Sequence, residues 1–300
     1  TEVLLAAISR YGLAGTLPRL DGMFAFALWD RQTRELTLAR DRVGEKPLYY
    51  GWSGPVFLFG SELKALTRHP DWRGGIDQDA VSAFLRYSYV PAAHSIYKGV
   101  SKLKSGHCLT LNLETFQPGD SPAPTPYWDA RAVAEAAARD PFAGSDQEAV
   151  DELERRLVRS VSHRLIADVP IGAYLSGGVD SPTIAALMQA ASDRPIRTFT
   201  IGFNDPTLDE SKHAAAIARH LGTDHRELRA DDGAVLNLVD RMPTLFDEPF
   251  ADVSQLPTFL LATLARPYVT TVLTGDGGDE LFAGYPRYQA VARQWPNSNV

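Results

Sequence analysis

Ser176-Gly177-Gly178-Val179-Asp180-Ser181 is the stretch of this chain best suited to chemistry. An apolar run over 169–175 precedes it. A helical pattern over 182–191, opening on Pro182, follows it. Proline is favoured at the first helical position, where its missing N–H has no partner to lose. The order is therefore strand, glycine turn, helix N-terminus. Free backbone N–H groups and the positive end of the helix dipole converge on such a turn and suit a multiply charged oxyanion. Gly177 and Gly178 let the backbone approach closely, and the hydroxyls of Ser176 and Ser181 add donors. Asp180 would repel a phosphate directly, and makes sense with Mg²⁺ between the two. The competing reading is an ordinary serine–glycine turn; position, flanks and all six residues favour the anion site. It is not a Walker A loop, because no Lys precedes the final Ser and the glycine spacing differs.

A second constellation, Thr274-Gly275-Asp276-Gly277-Gly278-Asp279-Glu280, also follows an apolar strand (268–273) and opens a helix. Carboxylates beside a phosphate loop repel it unless a metal lies between, so Asp180 and Asp279 read as a pair of Mg²⁺ ligands. An acidic helix N-terminus, favoured by the dipole alone, is the alternative. In a third, the strand 196–203 is followed by the polar turn 204–210, and backbone near Ile201 could hold an adenine; a plain buried strand and turn is equally open. The acidic loop 247–257 either lines a substrate pocket or is a capped surface loop.

These motifs need a parallel sheet. Strands expected over 169–175, 196–203, 225–229 and 268–274 alternate with helices over 182–191, 210–221 (closed by Gly222), 233–241, 254–266 and 280–294. Such alternation implies helices on both faces of the sheet, with ligands beyond the C-terminal strand ends. The amphipathic stretch 146–165 precedes them, with Val150, Leu153, Leu157, Val161 and Leu165 at helical spacing. The first third differs. It reads as a helix from Thr1, a hairpin over 23–30 and 35–40, a strand over 56–59, a short helix from Ser61, and a strand over 107–113. Residues 117–126 are Pro-rich, and 130–138 form a short helix or a connection. The expected division is 1–116, a linker over 117–145, and 146–300.

At 300 residues the chain holds one large domain or two ordinary ones. A net charge of −7 argues against a nucleic-acid partner. No apolar run reaches the roughly 20 residues of a membrane span. A single cysteine excludes an internal disulfide, and with no signal peptide evident a cytoplasmic setting is the expectation. Both ends read as cuts in a longer protein: Thr1 opens inside a helix, and 294–300 stop soon after another.

The hexapeptide resembles the pyrophosphate loop of ATP pyrophosphatases, which cleave ATP to AMP and pyrophosphate. Together, 175–181, 199–203, 247–257 and 274–285 resemble the synthetase half of glutamine-hydrolysing asparagine synthetases. Residues 20–27, 39–50 and 60–66 resemble the later portion of a class II glutaminase domain. The resemblance covers nearly the whole chain. The fold class it implies is α/β plus α+β: a partial N-terminal-nucleophile-type glutaminase sandwich, then a parallel-sheet ATP-pyrophosphatase domain of the adenine nucleotide alpha-hydrolase kind.

The resemblance further implies a reaction. ATP activates the aspartate side-chain carboxylate as an acyl-adenylate, and ammonia from glutamine attacks it to give asparagine, AMP and pyrophosphate. Leu175, Ile201, Thr274 and Gly275 match positions that hold adenine and ribose. Ser176, Gly177, Gly178, Val179, Asp180 and Ser181 match the pyrophosphate loop, and Asp180 and Asp279 the metal ligands. Asp276 falls where many relatives carry a Glu proposed to take a proton from ammonia; Asp keeps the chemistry with one methylene less reach. ATP and Mg²⁺ are the implied cofactors, and aspartate with glutamine or ammonia the substrates. No nucleic acid or membrane partner is implied, and a homodimer stays open.

The family's cysteine nucleophile is not in this chain. Thr1 does not replace it, because it begins a helix where the nucleophile begins a strand. Cys108 lies mid-strand, the ordinary place for a small thiol. His213 and His220 share a helix without zinc-ligand spacing. A relative that makes another amide or a β-lactam, and a non-catalytic nucleotide binder, are the competing readings; Asp180 and Asp279 speak against the second.

Overall fold

The computed structural model describes residues 1–121, 123–207, 209–230 and 232–294. The reading of the chain end over 295–300 and the expected turn residue Leu208 lie outside the described residues. The chain forms two units, Thr1–Ala143 with Arg241–Asp252, and Gly144–Asp240 with Val253–Val300.

The first unit begins with α1 (Glu2–Thr16). Its strands and helices are β1 (Ala25–Asp30), β2 (Glu35–Arg40), β3 (Tyr49–Ser53), β4 (Val56–Gly60), α2 (Leu63–Thr67), α3 (Gln78–Tyr87), β5 (Val100–Lys102), β6 (His107–Asn112), β7 (Thr125–Pro126) and α4 (Ala130–Arg139). One antiparallel sheet runs β1-β2-β6-β7 and a second β4-β3-β5. Leu38 of β2 and Leu109 and Leu111 of β6 point the same way because side chains alternate along a strand. They meet Tyr50 of β3, Leu48 and Leu103 in one buried cluster between the sheets. The hairpin stands where the sequence puts it, with Ala25 opposite Arg40 and Asp30 opposite Glu35. The Pro-rich stretch does not stay a connection throughout: Thr125 and Pro126 pair with Cys108 and His107 at the sheet edge. Proline is tolerated at an edge because it has no N–H to donate inward.

Two consecutive charged residues, half-buried Arg40 and fully buried Asp41, tie this unit together through its backbone. The Arg40 guanidinium donates to the carbonyls of Lys46 (2.8 Å), Leu103 (2.7 Å) and Gly44 (2.6 Å). Burial pulls its pKa down, opposed by neighbouring Asp41. Asp41 is fully buried. Its carboxylate accepts from the backbone N–H of Glu45 and Lys46 (both 2.9 Å) and of Phe24 (3.2 Å).

The second unit holds α5 (Asp146–Arg164), β8 (Ile171–Tyr174), α6 (Asp180–Ala190), β9 (Arg197–Phe203), α7 (Ser211–Leu221), β10 (Asp224–Ala230) and α8 (Asp232–Val239). The chain then passes through α9 (Met242–Leu245), which belongs to the first unit, and returns for α10 (Gln255–Ala265), β11 (Thr271–Leu273), α11 (Gly278–Phe282) and α12 (Pro286–Gln294). Ser145 and Glu148 close a reciprocal capping box that starts α5. The sheet is wholly parallel in the order β10-β9-β8-β11.

Both faces of this sheet are covered. On one, Ala173 and Ile171 of β8 meet Ala185 and Met188 of α6, Ala214 and Ala218 of α7, and Val161 of α5. Alanines at those contacts let helix and sheet backbones approach closely. On the other, Phe199, Tyr174 and Val272 meet Leu261, Leu264 and Ala265 of α10. Gly172 of β8 lies under the Phe199 ring, and a Cβ there would come within 2.9 Å of that ring and of the Arg197 carbonyl.

Three expectations shift. Helix α6 opens at Asp180, not Pro182, leaving Pro182 third; the first four N–H groups of a helix lack intrahelical partners, so proline costs nothing there either. The helix expected over 280–294 breaks into α11 and α12, where Ala283 takes a left-handed conformation and Pro286 restarts the turn. The 233–241 helix likewise yields α8 and then α9. Among the described residues no helix is long and apolar enough to cross a membrane.

Candidate active site

Register fixes the site. Ile171, Gly172 and Ala173 of β8 lie opposite Thr271, Val272 and Leu273 of β11, in parallel. Both strands therefore run out at the same sheet edge, and the loops 175–179 and 274–277 leave it side by side. Leu175, buried, donates its N–H to the Phe199 carbonyl at 2.9 Å, which holds the first loop to β9 as it departs. Ile201 lies further along β9, opposite Leu228 of β10.

The first loop is tied by its own hydroxyls. Ser176 N–H donates to Ser181 Oγ (2.8 Å), the two hydroxyls share a 2.7 Å hydrogen bond, and Gly178 N–H donates to Ser176 Oγ (3.3 Å). Gly177 packs against α7, where an added Cβ would meet His213 Cβ at 2.9 Å. Its N–H donates to the Glu210 carboxylate at 3.0 Å.

The second loop closes onto Asp180. A Cβ on Gly275 would stand 2.7 Å from Ser181 N and 2.8 Å from Asp180 Cβ, and a Cβ on Gly278 would overlap the Asp180 carboxylate. At 275 the close approach to backbone requires glycine, whereas at 278 an added methyl group would meet only the Asp180 side chain. Thr274 Oγ1 donates to Asp276 Oδ2 (3.0 Å), and the Asp276 N–H donates back to Thr274 Oγ1 (3.3 Å). This orients the Asp276 carboxylate. Burial raises the Tyr174 phenol pKa, and Asp276 raises it further, so Tyr174 of β8 stands within electrostatic reach of the same carboxylate.

Asp279 and Glu280 begin α11. The Asp279 carboxylate lies against Gly284, where a Cβ would overlap it. Glu280 is engaged elsewhere: Tyr285 Oη donates to it at 2.8 Å, which lowers the Glu280 pKa and pushes the Tyr285 phenol up to about 12. Among the described residues no group of three or more His, Cys, Asp or Glu could hold a metal. An ion gripped by Asp180 and Asp279 would thus have two hard oxygen donors from the protein and would need the rest from ligand and water. Mg²⁺ is usually bound this way, through one or two carboxylates plus substrate phosphates, so the donor chemistry of the two side chains suits it.

Two residues around this edge carry no motif of their own. Tyr174 ends an apolar run and reads as core. Glu210 is 33 residues from Gly177, and only the pairing of β8 with β9 brings them together. The first residues of the acidic loop, 247–250, line a cavity of the first unit together with Tyr49, Lys64 and Lys102. Asp247 accepts from the N–H of Leu63 (2.7 Å) and Lys64 (3.4 Å), capping α2, whose own N-cap residue Glu62 supplies no such bond. Glu248 pairs with Lys102 and accepts from Ile96 N–H at 2.8 Å. These two carboxylates are spent inside the first unit. Cys108 in β6 is partly buried, its Sγ 3.4 Å from Thr125 Oγ1.

Gly278→Ala tests the closeness of the two loops. The methyl group must push the Asp180 carboxylate aside, while the helix itself gains a better former. If the paired loops hold a nucleotide, its affinity should fall about tenfold with stability changed by less than about 1 kcal/mol, as read by titration calorimetry and urea unfolding.

A parallel sheet with two glycine loops apposed beyond its strand ends, preceded by an antiparallel two-sheet unit, defines a two-part α/β protein. The comparisons with known proteins narrow this. Residues 152–299 match the asparagine synthase family and residues 1–128 the glutamine amidotransferase domain family. The chain belongs to the glutamine-hydrolysing asparagine synthetase family. A Methanocaldococcus jannaschii protein named for that enzyme is 32% identical over 95% of this chain, which spans 53% of its length. Asparagine synthetase [glutamine-hydrolyzing] 1 of Bacillus subtilis is 31% identical over 96% of the chain, with 43% of its own length matched. Amidase chyE of Penicillium rubens is also 31% identical, over 96% of the chain and 43% of its own length. The chain thus spans about half the length of the curated relatives it matches.

Proposed function

We infer that the protein takes part in ATP-dependent amidation of aspartate, with ammonia from glutamine, giving asparagine, AMP and pyrophosphate through a β-aspartyl-AMP intermediate. The observation that carries this is the apposition of the two loops, with Asp180 lying against Gly275 and Gly278. On this reading 176–181 cradle the pyrophosphate portion of ATP with backbone N–H groups, two hydroxyls and the α6 dipole. Leu175, Ile201, Thr274 and Gly275 hold adenine and ribose. Carboxylate attack on the α-phosphorus brings two anions together, and preorganised donors at the leaving pyrophosphate favour that step. Asp276, held by Thr274, accepts a proton from the attacking ammonia. Asp180 and Asp279 hold magnesium, which when bound screens the triphosphate charge, an effect worth several kcal/mol.

An adenylating enzyme acting on another carboxylic acid is the second reading, which the likeness to a protein named an amidase supports only weakly. Titration calorimetry with ATP and magnesium tests the core of both: one site per chain is expected, and no heat with ATP, with or without the metal, rejects them. In the whole protein, pyrophosphate release dependent on aspartate and absent with other acids separates the first from the second.

A further inference from the structure

Of the N–H groups in the 176–178 turn, those of Ser176 and Gly178 rest on neutral hydroxyls, whereas Gly177 donates to a carboxylate, that of Glu210, at 3.0 Å. Glu210 is the N-cap residue of α7, yet its side chain makes no cap bond to its own helix. Its neighbours do the anchoring. Asp209 accepts from Ser211 N–H (3.1 Å) and from Arg229 (3.1 Å), and Ser211 is buried against Gly202. The hydrogen bonds to Ser211, seconded by Arg229, hold the Asp209 carboxyl below its usual range. The backbone at Glu210 is therefore pinned, while its side chain is exposed.

A carboxylate oxygen on the N–H of an anion-binding turn stands where a phosphate oxygen would stand. We propose that Glu210 is an internal competitor for the loop, holding the Gly177 N–H in the free protein until an incoming polyphosphate displaces it, and so setting the loop's affinity and selectivity. The inference rests on the loop being the polyphosphate site. One N–H cannot serve two anions, and like charges at such separation repel. Displacement costs one charge-assisted hydrogen bond and a side-chain rotation, and leaves α7 intact because Asp209, not Glu210, fastens its start. The device favours ligands with enough charge and enough oxygens to outbid a carboxylate: a polyphosphate over a monophosphate or a free carboxylic acid.

Glu210→Gln keeps the shape and the acceptor and removes the charge. Inorganic pyrophosphate, titrated calorimetrically into the whole chain in the presence of magnesium, is the probe. We expect binding about five- to tenfold tighter in Glu210→Gln than in wild type, and tighter again in Glu210→Ala, where the acceptor is gone. The gap should narrow as salt is raised, because the effect is that of a partly exposed charge. A merely structural role would weaken binding in both variants and leave no salt-dependent gap. Wild-type binding with equal or weaker binding by Glu210→Gln overturns the role of Glu210 alone. Failure of wild type and both variants to bind either pyrophosphate or ATP overturns the loop's assignment as well.

Discussion

Asp180→Asn is expected to cut ATP-dependent pyrophosphate release by the whole protein about a hundred- to a thousandfold, the scale of losing a metal-anchored charge from a phosphoryl-transfer site. The reason is positional. Asp180 sits in the first turn of α6, in contact with Gly275 and Gly278 of the neighbouring loop, so it is the acidic side chain that both loops share. Asn keeps the volume and the packing against those glycines but offers a neutral oxygen to the ion. The fold should lose no more than about 1 kcal/mol, the favourable interaction of a carboxylate with a helix N-terminus. On the proposed function, glutamine hydrolysis by the whole protein requires none of these groups and should continue. A discontinuous pyrophosphate assay beside urea unfolding separates the two effects. Release at near wild-type rate would overturn the proposed metal role of Asp180 and leave Asp279 to be explained as an ordinary helix start.

The second large effect concerns stability. Asp41→Ala should destabilise the first unit by about 2–4 kcal/mol, because it removes from a fully buried position the one carboxylate that accepts from the backbone N–H groups of Phe24, Glu45 and Lys46 and takes a neighbouring negative charge from Arg40. Those donors come from two separate places on the chain, Phe24 and the adjacent pair Glu45 and Lys46, so no local rearrangement can satisfy them together. Asp41→Asn should cost less, about 2 kcal/mol, since its amide oxygen still accepts while its NH₂ group faces donors. The shift in urea midpoint at constant slope is the measurement. A loss below about 1 kcal/mol for the alanine variant would mean that water replaces the carboxylate.

Much of this was legible in the residues. An apolar run, a glycine-rich turn and a helical pattern recur at 169–191 and 268–282, and local sequence decides such units. That they lie side by side is also the natural outcome of a parallel sheet, which gathers all its strand exits on one edge. What escaped depends on partners distant in sequence. Strand β3 is buried along nearly its whole length, so Tyr49, Tyr50 and Gly51 show no alternation to read. Helix α3 begins at an aspartate cap, Asp77, with Gln78 and Asp79 at its start, and its polar first turn hid it. Glu210 looked like one more acidic residue in a turn. The extra helix boundary at Ala283 rests on a left-handed residue that is not glycine, which no composition rule anticipates.

The stretch Arg241–Asp252 has a consequence for how the protein is made. Its Asp247 caps a helix 184 residues earlier, and its Glu248 bonds the backbone 152 residues back. A nascent chain therefore emerges from the ribosome with the first unit lacking two of its ionic fastenings while α5 to α8 are still being synthesised. Domains generally fold in the order they are translated; here the earlier one must wait, partly assembled, for a strap delivered from the middle of the later one.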